Sequence, residues 1–442
     1  MQIISSGHGN ESTHKLPGPP DRRKQNEVQS CTQCGWGAPQ SRSPYSVQKG
    51  SVLMSSRPSL SFSAIFGSSS FIFACRVTGA ALTLLTQILL ARWMGAAELG
   101  VYILGFSWCV LLAVVSHLGI TPATLRVIGR AQAESRPGLI HGFAKRGGQI
   151  VFGVSVLLAL VLGSLAALWS DRLPGGNAAP FILALAAAPA LALVSFQGQI
   201  AVAFRWFKTA FLPSEVARPL LLILIVTAIW LGSGELRAAT VMVVQTALMF
   251  ATAIVLYLVL RASIAAEIGQ APAEYETRAW LRLGMPLLLI SLFGGYFPEF
   301  MVILLGSLVT TDQVAIFNAS YRLALLITFG LVSIDSVTAP VASRLYASRD
   351  IAELQAVVRH ATMLGFSCSV AAVIGFAVFG RFMLGLFGEE FVAGYEIMMI
   401  LAAAQLVRSA AGPVLSLMSV TGHQDSCLIV FASALVAAIV LV

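Results

Sequence analysis

Long apolar runs dominate this sequence and limit what it can fold into. A transmembrane helix needs about 20 mostly apolar residues. Eleven apolar runs meet or approach that length, the last one ending with the chain. They cover residues 64–91, 100–125, 148–170, 178–201, 212–232, 238–261, 282–307, 314–340, 361–380, 395–420 and 427–442. The runs are continuous, whereas strands of a membrane barrel alternate in polarity. We therefore predict an all-α polytopic membrane protein with about 11 transmembrane helices.

Charge is scarce and unevenly placed. Charged residues make up 11% of the chain, against about a quarter in soluble domains. If the N-terminus is cytoplasmic, most loop Arg and Lys residues lie in inner loops, and the outer loops hold only Arg92, Arg172, Arg237 and Arg381. Retained cytoplasmic loops carry such an excess, so we predict a multi-pass protein with its N-terminus inside. The net charge of +8 then reflects topology, and no nucleic-acid motif accompanies it.

The first 62 residues are polar and rich in Pro, Ser and Gly, a composition that cannot bury a core. We interpret residues 1–62 as a disordered cytoplasmic tail. Cys31 and Cys34 form a CxxC pair without a second ligand pair, so we predict no metal site. Met54 lies just before the membrane region and is an alternative start of the protein.

Two segments repeat along the chain. Leu89–Tyr102 (LLARWMGAAELGVY) resembles Leu304–Phe317 (LLGSLVTTDQVAIF), 215 residues later. The exit TPATLR after the second run resembles APVASR after the eighth, 218 residues later. This repetition predicts two parallel six-helix halves related by an axis along the membrane normal. The halves are an N-lobe at 63–261 (helices 1–6), a cytoplasmic linker at 262–281, and a C-lobe at 282–442 (helices 7–11).

Three arginines lie inside apolar runs: Arg76, Arg322 and Arg408. A charge in the bilayer centre costs about 2.5–3.5 kcal/mol on insertion scales. Such residues usually face a bundle interior or a water-filled cavity, which here indicates a path for an anion. Arg408 is the strongest candidate, because it lies near the middle of its predicted helix, too far from either end for easy snorkelling. Asn318 lies one turn before Arg322 on the same predicted helix face. Arg76 is nearer a helix end, where snorkelling to the interface is an equal alternative.

Three further residues could titrate within the membrane: Glu299, Asp335 and His117. Each could bind a coupling proton or cation, and a structural ion pair or a water-facing helix end is the alternative. Glu215 and Arg218 are one turn apart at a predicted helix entrance. For them we predict a local surface pair.

Signatures of enzymes are absent from the sequence. It contains no phosphate-binding loop, no HExxH motif and no nucleophile elbow. We therefore predict a transporter that is not an enzyme and needs no cofactor or metal. A membrane glycan polymerase or glycosyltransferase is the alternative of a different class, although the longest predicted outer loop, about 381–394, offers only Glu389 and Glu390 as acids.

Four motifs support a family resemblance: ILLARWMGAAELGVYILGFS, VAIFNASYRLALL, TAPVASRLYASRDIAEL and SVTGHQD. With them, the chain from about residue 64 onward resembles polysaccharide-type flippases, in the superfamily that includes multidrug and toxin extrusion transporters and lipid II flippases. The resemblance implies two lobes of six-helix repeats around a central cavity. It further implies a bacterial inner-membrane location, a role in surface polysaccharide (O-antigen or lipopolysaccharide) biosynthesis, and a polyprenyl-diphosphate-linked oligosaccharide as substrate.

On this resemblance, the arginines would hold the diphosphate, and the partners would be membrane lipids and other polysaccharide-assembly membrane proteins. A drug or cation antiporter of the same superfamily is the alternative, although its cavity should be acidic or aromatic. The family pattern has at least twelve helices, and this sequence stops inside its eleventh run. We therefore expect an incomplete second lobe, as in a truncated product.

Overall fold

The computed structural model describes residues 62–168, 179–269, 271–328 and 350–412, with some positions between 330 and 348 and residue 414. Every regular element in these parts is helical, which confirms the predicted all-α class. Most of the predicted tail, the run 427–442 and Asp335 lie outside the described residues. The helices are α1 Phe62–Ser116, α2 Ile120–Ala133, α3 Pro137–Leu168, α4 Ala179–Ala203, α5 Phe207–Phe211, α6 Arg218–Ser233, α7 Ala238–Ile268, α8 Thr277–Gly295, α9 Phe297–Gly306, α10 Thr311–Leu325, α11 Ile351–Gly385 and α12 Tyr395–Ala411.

Helix α1 reverses direction at Gly95. Gly95 has φ 76° and ψ 171°, a non-helical conformation that glycine adopts without a Cβ clash. Thr83 and Ser107 line the same cavity, whereas 24 residues of straight helix would separate them by about 36 Å. The chain therefore turns back at Gly95, so that α1 supplies two antiparallel segments. The second segment begins at Ala96 and α10 begins at Thr311, the same 215-residue offset as the sequence repeat.

The predicted second helix, 100–125, is shorter than expected. The structure ends α1 at Ser116 and starts α2 at Ile120. Between them Leu118 and Gly119 have φ values of 45° and 74°. Two successive left-handed residues cannot continue an α-helix, because that conformation reverses its handedness. The apolar run continued across this turn, so the sequence pattern did not mark it.

Several helices have the length and composition of membrane spans. In the described part of the chain, seven are long and apolar enough to cross a bilayer, or eight if the α8–α9 pair, bent by 59°, forms one span. The bend lies at Tyr296, just before Phe297 and Pro298, and proline prevents the preceding turn from continuing regularly. The protein is therefore a multi-pass membrane protein. The two-lobe organisation and the total of 11 helices stay predictions.

The helix α8 packs closely against the N-terminal half of the chain. A Cβ on Gly119 would lie 1.8 Å from the carbonyl oxygen of Gly284, so only glycine permits this backbone contact. Nearby, Trp280 is buried and its ring meets that of Phe143 edge-on at 5.1 Å between centroids. These contacts join α2 and α3 to α8. We call this side of the bundle the linker end, because residues 271–276 connect α7 to α8 there.

Ion pairs hold the connecting segment in place at the linker end. The Arg136 guanidinium donates from Nε to Glu274 Oε2 at 3.1 Å and from Nη1 to Glu276 Oε1 at 3.1 Å. The backbone N–H of Glu274 also donates to the carbonyl of Gly138 at 2.8 Å. A guanidinium shared between two carboxylates has more geometric specificity than a single surface pair. One arginine before α3 thus fixes the segment that leads into α8.

Replacing Arg136 with Ala should loosen this connecting segment. We expect limited proteolysis at residues 271–276 to become about three- to tenfold faster, since each exposed ion pair contributes up to about 1 kcal/mol. Lys145→Ala in the neighbouring helix α3 is the control, since Lys145 forms none of these ion pairs. Equal cleavage rates for both variants would contradict the assigned role of Arg136.

Candidate functional site

A cavity of about 400 Å³, lined in part by polar and charged side chains, lies between helices from both halves of the chain. Its lining comes from both segments of α1, from α6 and α7, and from α8, α9 and α10. The neutral polar side chains that line it are Thr83, Thr86, Gln87, Tyr102, Ser107, Gln245, Asn318 and Tyr321. The charged ones are Arg218, Glu299 and Arg322. Such a set of hydroxyl, amide and guanidinium groups inside apolar helices is suited to a polar, anionic ligand.

Arg322 is the central cation of this cavity. Its Nε atom is shielded from solvent and has no hydrogen-bond partner among the described residues. Asn318, one turn earlier on α10, is 6% exposed and lines the same space. A guanidinium N–H that is buried without an acceptor is costly. An anionic ligand in the cavity would supply that acceptor.

Arg218 enters the cavity from a distorted helix. Residues Leu212–Ala217 form a π-helix between α5 and α6, and Pro213 and Pro219 flank the turn that presents the arginine. Proline removes backbone donors, and a π-turn relieves the resulting mismatch while shifting the following side chains around the axis. The predicted surface pair with Glu215 is not formed, because no ion pair joins the two described residues, and each lines a different cavity.

A second cavity, of about 390 Å³, adjoins the first. It is lined by Arg76, Gly79, Ala80, Thr83, Leu84, Glu215 and Arg322. Thr83 and Arg322 line both cavities, so the two spaces meet at these side chains. Arg76 also lies over the ring of Phe211, 5.6 Å from its centroid. Arg76 is itself exposed, so it borders the second cavity and the Phe211 ring from the surface of the protein.

Gly79 allows Glu215 to approach α1. A Cβ at position 79 would lie 2.8 Å from the Glu215 carbonyl oxygen and 3.1 Å from its Oε2 atom. The carboxylate therefore sits against the helix backbone beside Arg76. Across the two cavities, three arginines face two glutamates, and none of the five forms an ion pair with a described residue. The adjoining cavities carry an excess of positive charge.

The other residues singled out from sequence lie elsewhere. Arg408 is exposed and lies in the last turn of α12, because the helix ends at Ala411 before Gly412, which has φ 75°. It lines neither cavity. His117 is buried in the turn after α1, where its Nε2 lies 3.1 Å from the carbonyl oxygen of Ala192. Glu299, by contrast, lines the first cavity beside Arg322.

Sequence reasoning missed Arg218 and Glu215 as cavity residues. Two opposite charges one turn apart usually form a surface pair. The sequence therefore did not indicate that the two side chains line different cavities. The usable signal was the pair of prolines at 213 and 219 that bracket them, since irregular helix within a membrane is tolerated where it lines a cavity. Gln245 was missed because a single amide in an apolar run carries no specific pattern. In the described part of the chain no cluster of His, Cys, Asp and Glu could hold a metal.

Comparisons with known proteins identify the family and the fold of the chain. The sequence model of a family described as "Polysaccharide biosynthesis protein" matches residues 66–346. No curated protein matches the chain significantly.

Three solved structures show the same fold at low identity. An inward-facing multidrug resistance MATE family transporter of the MOP superfamily is 18% identical, with TM-score 0.56, and the match covers 79% of this chain and 80% of that one. A MATE protein in a bent conformation is 17% identical, with TM-score 0.55 and coverage of 82% and 84%. A MATE protein in complex with MaL6 is 17% identical, with TM-score 0.52 and coverage of 81% and 84%.

Proposed function

The chain belongs to the polysaccharide biosynthesis protein family, and from this premise we propose that it is a flippase for a polyprenyl-diphosphate-linked oligosaccharide. It would move the headgroup and glycan across the bacterial inner membrane by alternating access, while the lipid tail stays in the bilayer. The product would serve surface polysaccharide synthesis, lipopolysaccharide among them. Membrane lipids, and other membrane proteins of polysaccharide assembly, are the proposed partners.

The observation that carries this proposal is the buried, unpartnered Nε of Arg322 at the junction of the two cavities. Guanidinium forks match phosphate oxygens in geometry and charge. Arg218 lines one side of the junction and Arg76 the other. Two linked phosphates placed at Arg322 would therefore have a second cation on either side. This pattern suits a diphosphate better than a neutral sugar alone.

The neutral polar groups suit the glycan. Thr86, Gln87 and Gln245 are buried and line the first cavity. The Gln245 Oε1 atom has no hydrogen-bond partner among the described residues. A buried amide oxygen without a donor would be satisfied by a sugar hydroxyl. The diphosphate and the first sugar would thus occupy neighbouring parts of one site.

Coupling to an ion belongs to the same proposal. Glu299 shares the first cavity with Arg322 and would neutralise it when substrate is absent, or would take up the driving proton or cation. Asp335 and His117 remain further candidates for coupling, and Arg408 remains a candidate for substrate binding. A cytoplasmic N-terminus is part of this proposal, and the excess of Arg and Lys in the loops on that predicted side supports it.

Two alternatives remain. The MATE relatives share this fold, so a drug or cation antiporter is the first. It is disfavoured by the cavities, whose three arginines outnumber their two glutamates and would repel a cation. The second is a membrane glycan polymerase or glycosyltransferase.

A strain in which the gene for this protein is deleted distinguishes the flippase from the two alternatives. Loss of the gene should cause lipid-linked oligosaccharide to accumulate on the inner leaflet, while surface polymer disappears. Normal translocation with loss of polymer would support the polymerase instead. Unchanged glycan with increased drug sensitivity would support the antiporter.

Arg218→Ala should reduce glycan export about tenfold, because it removes one charge-assisted contact to the headgroup, worth about 1.5 kcal/mol. Export is measured as surface polymer in the complemented deletion strain at equal protein level. Arg237→Ala is the matched control, since Arg237 lies just before α7 and pairs at the surface with Glu235. If both variants export equally, Arg218 has no part in binding.

A further inference from the structure

The two halves of the chain cap each other's helices at the end of the bundle opposite the linker end. The Arg92 Nε donates to the carbonyl of Leu386 at 2.6 Å, and its Nη2 donates to the carbonyl of Gly385 at 3.2 Å. Gly385 is the last residue of α11 and Leu386 is its C-cap, and backbone acceptors at this end lack partners within the helix. A cation there also interacts favourably with the helix dipole.

The reverse cap is made by Glu390. Its Oε1 atom accepts a hydrogen bond from the backbone N–H of Ala96 at 2.8 Å. Ala96 begins the second segment of α1, directly after the break at Gly95, so its N–H has no acceptor within that segment. Each half thus supplies one charged side chain to a helix end of the other. We call these five residues, Arg92, Ala96, Gly385, Leu386 and Glu390, the cross-cap.

Next to the cross-cap, the second segment of α1 is in close contact with α9 and α10. A Cβ on Gly100 would lie 1.8 Å from the Thr311 carbonyl oxygen, so the second segment of α1 touches the start of α10. On the next turn, a Cβ on Gly306 would lie 2.2 Å from Leu104 Cδ2. The first cavity begins just beneath, at Leu90, Tyr102 and Ile103. Along α1, the cross-cap residues Arg92 and Ala96 therefore lie within about two helical turns of the cavity lining, on the side of Gly95.

The hydrogen bonds of the cross-cap are of a kind that can break when the two halves separate. Arg92 is exposed, and all three hydrogen bonds join a charged side chain to backbone groups at helix ends. Water can replace each partner when the halves separate, so opening leaves no charge buried and unpaired. A buried ion pair would resist separation far more strongly.

We propose that the cross-cap is a lock that keeps the cavity closed at the Gly95 end and opens when cargo leaves on that side. The role of cargo in this inference rests on the proposed function, whereas the lock itself is a property of the two halves. Neither Arg92 nor Glu390 lines the first or the second cavity. Their contribution would therefore be to the balance between closed and open states and not to binding.

Thiol labelling of a cavity cysteine tests the lock. Ser107→Cys, introduced after the six native cysteines are replaced, places a reporter in the first cavity. A membrane-impermeant thiol reagent is applied to whole cells and to inverted vesicles, without substrate. Arg92→Ala and Glu390→Ala should each raise labelling from the Gly95 side about fivefold or more, because a lost charge-assisted bond shifts the population toward the open state.

The chain offers a matched control. Glu98 Oε2 accepts from the backbone N–H of Ala238 at 2.7 Å, which is the same kind of helix cap but lies within the N-terminal half. Glu98→Ala should leave labelling unchanged. Glu390→Gln preserves side-chain size and an acceptor oxygen, and should raise labelling only about twofold.

Two outcomes would overturn the lock. One is that Arg92→Ala, Glu390→Ala and Glu390→Gln are all labelled at the same rate as the parent protein, which carries only the reporter cysteine. The other is an equal increase in Glu98→Ala. Size-exclusion chromatography of each labelled protein identifies a variant whose signal comes from unfolding, and Glu390→Gln then decides the result. Because no substrate is added, a failure to transport glycan would overturn the proposed function without changing the labelling result.

Discussion

Arg322→Ala should abolish most glycan export, lowering it at least about 30-fold while the protein still inserts into the membrane. The cavity would lose its central guanidinium, whose Nε is buried and free of protein acceptors. A hydrogen bond to a charged group contributes about 1.5–3 kcal/mol, and two such bonds would be lost with one arginine. Export is measured as surface polymer in the complemented deletion strain, normalised to protein in the membrane.

Three further variants provide the comparison for this result. Arg322→Lys keeps the charge but not the fork, so export should fall between those of the wild type and Arg322→Ala. Arg359→Ala removes an exposed arginine of α11 that lines neither cavity, and export should stay unchanged. Arg408→Ala should cost less than Arg322→Ala, given its exposed position in α12. Wild-type export by Arg322→Ala would remove the arginine from the proposed mechanism.

Gly119→Val should unfold or strongly destabilise the protein. The residue has φ 74°, which a β-branched side chain adopts only with strain, and its Cβ would overlap the Gly284 carbonyl at 1.8 Å. Strain and overpacking together cost at least about 3 kcal/mol. The melting temperature of the detergent-solubilised protein should therefore fall by at least about 5 °C.

A glycine without neighbours provides the comparison. Gly153 in α3 has nothing within 4 Å of an added Cβ. Gly153→Val should shift the melting temperature by no more than about 2 °C. Similar shifts for both variants would show that α2 and α8 do not meet through their backbones at Gly119.

The fold class could be predicted because the apolar interior of a membrane permits few backbone structures. A chain with many long apolar runs must satisfy its backbone hydrogen bonds internally, so helices follow. Helix ends were less predictable. The run 361–380 marked only the apolar centre of α11, which extends over Ile351–Gly385, because polar helical turns outside the bilayer carry no hydropathy signal. The left-handed turn after Ser116 was hidden by continuous apolar sequence.

The candidate site could be predicted at residues that stand out because a polar group inside a membrane is energetically costly. Arg322, Asn318 and Glu299 stood out as polar groups in apolar runs, and all three line the first cavity. Arg408 was placed in the middle of a predicted helix because the run 395–420 continues past Gly412, whereas α12 ends at Ala411. Arg218 could not be assigned from spacing, since its direction depends on the π-helix before it. Tertiary packing, which no local pattern encodes, decides such positions.

Translocation by the purified protein tests the proposed flippase most directly. Proteoliposomes would contain a lipid-linked oligosaccharide in both leaflets, and a glycan-cleaving enzyme added outside would measure how fast the inner pool becomes accessible. We expect complete cleavage with the wild-type protein and cleavage of only about half with Arg322→Ala, the fraction initially outside. Equal cleavage in wild-type, Arg322→Ala and protein-free liposomes would contradict the proposal that this cationic cavity carries the headgroup across the membrane.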